Sequence, residues 1–520
     1  MVEAMKHASF SFLLATLLLC FQSSLSAQEL ETGYFLGGNP YAFRLNPAFQ
    51  SERSIFSLAL GQTGLGAWSN LGVSTLLYPD ASNGSVYTFM NDQVNPAVFL
   101  SKIRKRNSVD LDALVNLMTV GFWAGERFMT LDFNIRSLNA VSAPYDLFAL
   151  LKEGTESQNS FDLSGTGFRS KSFVEAAFGW SKNYGNVFNV GFRIKGLVGI
   201  LEMEAIARNM RLSMSDERWE IQAKSVLNAS SPSLKAVWDG GYLSSVEMAE
   251  GKYGPAGFGA GVDLGVSWNV LPLLTVSASV LDVGGILWNR EIRGISPETS
   301  YAWAPSESGN ASGGTDSWDA EIDEASEMLS NLFKFKEASV TGGAFEMLPF
   351  RVNLGAEFRM PFYDRLSVGA LYQGRGGATF ARHAGRFSLN WNPLSWMSLS
   401  TGTTLSRLGE SFGFALNLHP AGINLMVGCD YLPFHVVSIA PLIEDLPAKY
   451  RSYAVLPRDQ MKLNFHIGLN LAFGRSHLDH AKRYVPAPVK PTPEPDVNND
   501  QDSVDPEGTP VVREVSAETL

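Results

Sequence analysis

The sequence predicts an all-β protein: a transmembrane antiparallel β-barrel of about fourteen strands (range 12–16), with an N-terminal hatch segment, short helices in long extracellular loops and a disordered C-terminal tail. Three observations predict it. Apolar and polar residues alternate over runs long enough to cross a bilayer. Every second connection between these runs is short. Aromatic residues gather beside the short connections.

The alternation is clearest at Met461–Phe473, "MKLNFHIGLNLAF". Its odd positions are apolar and its even positions are polar or small, which gives a strand one greasy and one polar face. "FRVNLGAEFRM" (350–360), "MTLDFNIR" (129–136), "FNVGFRIK" (188–195) and "FGAGVDLGVSW" (258–268) repeat the pattern. Strands are expected near 53–62, 113–124, 127–137, 171–182, 186–202, 257–269, 273–283, 347–360, 364–374, 380–391, 395–405, 410–418, 421–431 and 460–473. The joints "AGE" (124–126), "KNYG" (182–185), "LPL" (271–273), "FYD" (362–364), "PLS" (393–395) and "HPAG" (419–422) are short. The long joints all fall in the opposite phase. Outer-membrane barrels share this asymmetry, with short periplasmic turns and longer outer loops. Trp123, Trp180, Trp268, Trp391 and Trp396, with Phe362, Tyr363 and Phe473, sit beside the short turns, where a bilayer interface favours aromatics.

The segments around the wall read as follows. Residues 1–27 are expected to be a cleaved signal peptide: Lys6 and His7 precede the apolar run Phe10–Phe21, and cleavage after Ser26 or after Ala27 both remain open. Cys429 is then the only mature cysteine, so no internal disulfide forms. Residues 28–52 are too apolar for a free tail and are broken by Gly and Pro ("GGNPYAFRLNPAF"). They are expected to enter the periplasmic mouth as a hatch around Asn46, Pro47 and Ala48, or else to form a plain turn before the first strand. The barrel occupies 53–475. Within its loops, "APYDLFALLKEG" (143–154) and "TDSWDAEIDEASEMLSNLFKFKEA" (315–338) carry helical spacing. Residues 484–520, rich in Pro and acidic groups, are expected to be an extended periplasmic tether.

On the polar face, Asp132, Arg136, Arg193, Lys195, Asp263, Arg351, Glu357 and Arg359 are charges of mixed sign. A ring of one sign would predict ion selectivity; mixed signs predict a lumen network that holds an internal plug. The net charge of −11 argues against nucleic-acid binding. No Gly-x-Ser-x-Gly elbow is present, and His477 and His480 of "HLDH" lack further ligands, so neither a catalytic nor a metal site is read and no cofactor is expected.

"LNPAF" ahead of the first strand resembles the Asn-Pro-Ala element of FadL-type channels and PorV-like barrels. "PYDLFALLKEG", "VGFRIKGLVGI", "GVDLGVSW", "ASVLDVGGILW" and "LPFRVNLGAEF", in that order, resemble a family of Bacteroidota outer-membrane barrels with no assigned function, over about 35–475. The resemblance implies fourteen strands with an N-terminal hatch. The expected function is that of a passive transporter or gated channel for a small compound, a hydrophobic one included, in the bacterial outer membrane. The alternative is a non-enzymatic scaffold or secretion-associated protein. Its partners would be membrane lipid and, through the tail, a periplasmic or cell-wall component.

Overall fold

A computed structural model describes residues 29–474, except 60, 80–85, 154–159, 186, 215–218, 250, 296–300, 304–334, 340–341, 377–381, 407–408, 421, 433–435, 439–454 and 458–461. The expected signal peptide, the residues His477 and His480, the tail 484–520 and most of the expected helix at 315–338 lie outside the described residues.

Fourteen strands among the described residues close into one antiparallel ring. β1 runs in two pieces, Ser54–Leu58 and Thr63–Ser69. β2 is Arg106–Ala124, β3 Arg127–Pro144, β4 Gly167–Tyr184 and β5 Phe188–Met214. β6 is Gly257–Leu271, β7 Leu274–Trp288, β8 Phe350–Arg359 and β9 Leu366–Gly376. β10 is Arg382–Leu394, β11 Met397–Ser406, β12 Gly409–Leu418, β13 Ile423–Leu432 and β14 Lys462–Phe473. Each strand pairs with the next, and β14 pairs with both β13 and β1, which leaves no free edge.

The alternation read from the sequence is the inside-outside alternation of this wall. Leu354, Phe387, Ile194, Leu264 and Leu471 lie on the outer face, each half-exposed or more. Asn134, Asn353, Asn390, Asn417 and Asn464 point inward and are buried. A chain that is apolar outside and polar inside is stable only with hydrocarbon around it, so the barrel spans a membrane. Among the described residues no helix is long and apolar enough to cross one. Of the interfacial aromatics, Trp268, Trp391, Trp396, Phe362, Tyr363 and Phe473 are exposed as expected. Trp123 differs: its indole Nε1 donates to the Ser51 carbonyl at 3.1 Å and its ring packs against Phe128, which ties the chain entering β1 to the wall.

Two breaks in the wall shift the pleat. In β1, Ala59 has φ 57°, and the register with β14 moves from Phe56↔Leu471 to Thr63↔Ile467. In β7, Asp282 has φ 61°, and the register with β6 moves between Val262 and Leu264. Each break is a bulge, which adds residues to one strand and turns the following side chains to the other face.

β2 to β5 begin or end well beyond their expected outer limits. There they carry an outer layer in which α1 (Pro96–Leu100, capped by the Asn95 side chain) and α2 (Tyr145–Glu153) bury Phe99, Leu100, Leu147, Phe148 and Leu150 against Phe161, Met210 and Leu212. α2 is the helix expected at 143–154. The helix expected at 315–338 does not reach its predicted end: Lys336–Glu337 is a short strand bonded to Tyr242 and to Gly294 and Ile295, so neighbouring strands override local helix spacing there.

Candidate functional site

Residues 29–52 lie inside the ring. Two short 3-10 turns, Glu31–Gly33 and Ala42–Arg44, fold the segment back on itself, and nearly all of it is buried. Its contacts reach strands around the whole circumference. Arg44 bonds to Thr119 of β2 and Asp132 of β3 at 2.9 Å each. The Leu45 carbonyl accepts from Ser279 of β7 and Asn353 of β8 at 2.8 and 2.9 Å. The Gly38 carbonyl accepts from Asn417 of β12 at 2.8 Å, and Thr32 reaches Asp430 of β13.

The Asn-Pro-Ala element has a dedicated seat. The Asn46 side-chain amide donates to the Val266 and Ala278 carbonyls at 3.1 and 3.3 Å, and its oxygen accepts from the Ala48 N–H at 3.0 Å. These bonds need the backbone of the segment to lie almost on the wall. Gly191 of β5 and Gly265 of β6 are direct cross-strand partners and supply the gap. A Cβ at Gly191 would overlap the Pro47 carbonyl, and one at Gly265 would overlap the Asn46 side chain. A quarter of the way round the wall, on β9, Phe35 fills the space that a side chain at Gly369 would take.

Above this seat stands a buried ionic cluster. Asp132 is shared by Arg44 (2.9 Å) and Arg193 (2.8 Å), and Arg193 also holds Asp263 at 3.1 Å. Lys195 lies 2.8 Å from Asp263 and 2.5 Å from Asp282. Arg136 spans Glu175 (3.1 Å) and Asp282 (2.8 Å), and Arg351 completes Asp282 at 3.1 Å. Six of the eight residues expected in a lumen network are therefore brought together: Asp132, Arg136, Arg193, Lys195, Asp263 and Arg351. Glu357 and Arg359 stand apart at the short-turn end of β8. Glu357 accepts from the Ser367 hydroxyl at 2.6 Å, and Arg359 is exposed at the last position of the strand, at the rim of the bore.

A second anchor holds the start of the segment. The Asp430 carboxylate accepts from the Thr32 N–H (2.5 Å) and hydroxyl (2.7 Å), the Glu31 N–H (3.0 Å), Asn464 (2.6 Å) and Arg386 (3.0 Å). Arg386 also reaches Glu31 at 3.2 Å and touches the Thr32 hydroxyl. Buried charges persist only when their partners are in place, and Asp430 draws three of its donors from the segment.

Sequence reasoning passed over Arg44, Glu31, Glu175, Asp282, Arg386 and Asp430. Glu175, Arg386 and Asp430 follow the inward phase of their strands and were open to the same alternation argument. Asp282 was not, because the bulge it occupies reverses the phase. Arg44 carried one signal, a lone cation in an apolar segment.

Glu202, Glu204 and Glu346 bring carboxylate oxygens within 4.8 Å of one another in the outer layer. Arg169 binds Glu204 at 3.0 Å, and Arg290 (3.0 Å) and Lys171 bind Glu346, so the group is an ion-pair network rather than a vacant cation cage.

No curated protein matches the chain in sequence. Solved structures with a similar strand ladder include the toluene transporter TbuX of Ralstonia pickettii (8% identity, 86% of this chain and 98% of that one, TM-score 0.41). The toluene transporter TodX of Pseudomonas putida is similar at 8% identity (86% and 98%, TM-score 0.39), and a Pseudomonas aeruginosa FadL homologue at 10% (87% and 99%, TM-score 0.36). Likeness at this level carries no argument about function. The profile described as "Family of unknown function (DUF5723)" matches residues 47–430, well over half of the 520 residues, and the chain belongs to that family.

Proposed function

We propose that the protein is a passive outer-membrane channel for a small compound, a hydrophobic one in the first instance, and that residues 29–52 are its removable hatch. One observation carries the reading: a closed wall encloses a segment that, apart from its one covalent continuation into β1, is held by hydrogen bonds, ion pairs and packing. Fourteen strands enclose a bore wide enough to conduct or to need filling. Removing the segment would leave the ring of backbone hydrogen bonds intact and empty the inner half of the bore. The aromatic group of Tyr34, Phe35 and Phe49, with ring centroids 4.8 and 5.1 Å apart, gives a hydrophobic solute a surface to follow.

The density of the anchors favours a second reading, a non-conducting scaffold whose lumen is permanently filled. Flux of a small apolar dye into liposomes separates the two. Under the channel reading, protein lacking residues 29–52 admits the dye much faster than liposomes without protein. A folded, heat-modifiable variant that admits none would leave the scaffold.

A further inference from the structure

Arg375 and Asp112 join across the bore. The Arg375 Nη1 lies 2.8 Å from the Asp112 Oδ2, and the side chains are 11% and 7% exposed. Arg375 belongs to β9 and Asp112 to β2, seven places apart in a ring of fourteen and therefore on opposite walls. A circular ring of fourteen strands, about 4.8 Å apart and tilted by about 40°, has a diameter of roughly 28 Å. An arginine and an aspartate joined head to head span at most about 13 Å between α-carbons. The bore at this level is therefore flattened, with the pair as a strap across its narrow axis.

The strap lies outward of the N-terminal segment on both walls. Arg44 touches β2 at Thr119, seven positions nearer the short turn than Asp112. Phe35 meets β9 at Gly369, six positions nearer the short turn than Arg375. The neighbour of Arg375 in the wall offers no alternative: across β8 it faces Arg351, whose guanidinium is committed to Asp282. The carboxylate that satisfies Arg375 comes from the far side of the lumen.

We infer that Arg375 and Asp112 form a second, outer barrier, a latch that narrows the bore and limits, without abolishing, passage when the N-terminal segment is withdrawn. This rests on the channel reading above. Loss of the pair lets the flattened section round out, because among the described residues no backbone hydrogen bond joins β2 to β9. A solute entering from outside meets the latch before it meets the segment.

Potassium chloride conductance in planar bilayers tests the inference with four proteins: the full chain, the chain lacking residues 29–52, the same deletion with Arg375→Gln, and the same deletion with Asp112→Arg and Arg375→Asp together. Heat-modifiable migration verifies that each is folded. The deletion alone should conduct weakly. Adding Arg375→Gln should raise open-state occupancy about tenfold, the change expected when the closed state loses roughly 1.4 kcal/mol. The charge swap should return it toward the level of the deletion alone. Full conductance from the deletion alone, unchanged by Arg375→Gln, would overturn the latch and leave the channel reading standing. Silence of all four proteins would overturn both.

Discussion

At Arg44 the N-terminal segment offers one cation to a cluster that has other cations; at Glu31 and Thr32 it offers N–H groups to a single carboxylate, Asp430. The difference decides how much each anchor matters. If Arg44 is removed, Asp132 still has Arg193 at 2.8 Å and the Thr119 hydroxyl at 2.7 Å. If Asp430 is removed, Arg386 keeps Glu31 as its one carboxylate partner among the described residues, and the donors of Thr32 and Asn464 lose their acceptor together. Redundancy makes the first anchor tolerant, while convergence on one residue makes the second a keystone.

The largest expected effect is therefore at Asp430. Asp430→Ala should cost about 3–5 kcal/mol, as loss of one partner of a buried pair does. It should be visible as a lower urea midpoint in lipid bilayers and as trypsin cleavage at Arg44. Next comes Arg44→Met, expected to cost about 1.5–3 kcal/mol, the range for a hydrogen bond to a charged group. Equal costs at the two sites would break the contrast between keystone and redundant anchor. Gly265→Ala should cost about 1–3 kcal/mol by overpacking the Asn46 seat, and Gly191→Ala should behave alike. If either substitution is neutral, the segment does not press on that part of the wall.

A further expected effect concerns pH. Burial pushes the Glu31 carboxyl up to about 7, against the pull of Arg386 and with the help of Asp430. The docked segment then holds a proton that a released segment gives up near 4.5, so docking should weaken as pH rises from about 4.5 to 7. Trypsin cleavage at Arg44 should rise across that window in the wild type and stay flat in Glu31→Gln.

Much of the wall was legible because its cause is local. Alternation over ten or so residues follows from one face in lipid and one in the lumen, and no distant contact is needed to read it. An exception arises where a local rule is overridden. Asp282 sits in a bulge at φ 61°, so the phase counted from Leu274 assigns it to the wrong face. Trp123 follows the inward phase of its strand, with Thr119 and Gly121, and its indole finds an acceptor in the Ser51 carbonyl. The anchors were less legible: Thr32 and Asp430 are separated by 398 positions, and nothing near either residue names the other. Asn46-Pro47-Ala48 was singled out, but its seat was invisible, since Gly191 and Gly265 become partners only once β5 and β6 are in register.

The central claim, that residues 29–52 sit inside the ring, is tested most directly by a disulfide between Phe35→Cys and Gly369→Cys in a Cys429→Ser background. Phe35 occupies the space beside Gly369, so oxidation of the membrane-inserted protein should join the two thiols, and mass spectrometry of a digest should find the linked peptides. A control pair at Asn353 and Gln373, cross-strand partners in β8 and β9, should join under the same conditions. If the control pair joins and the Phe35–Gly369 pair stays reduced, the segment does not occupy the lumen and the account built on it is wrong.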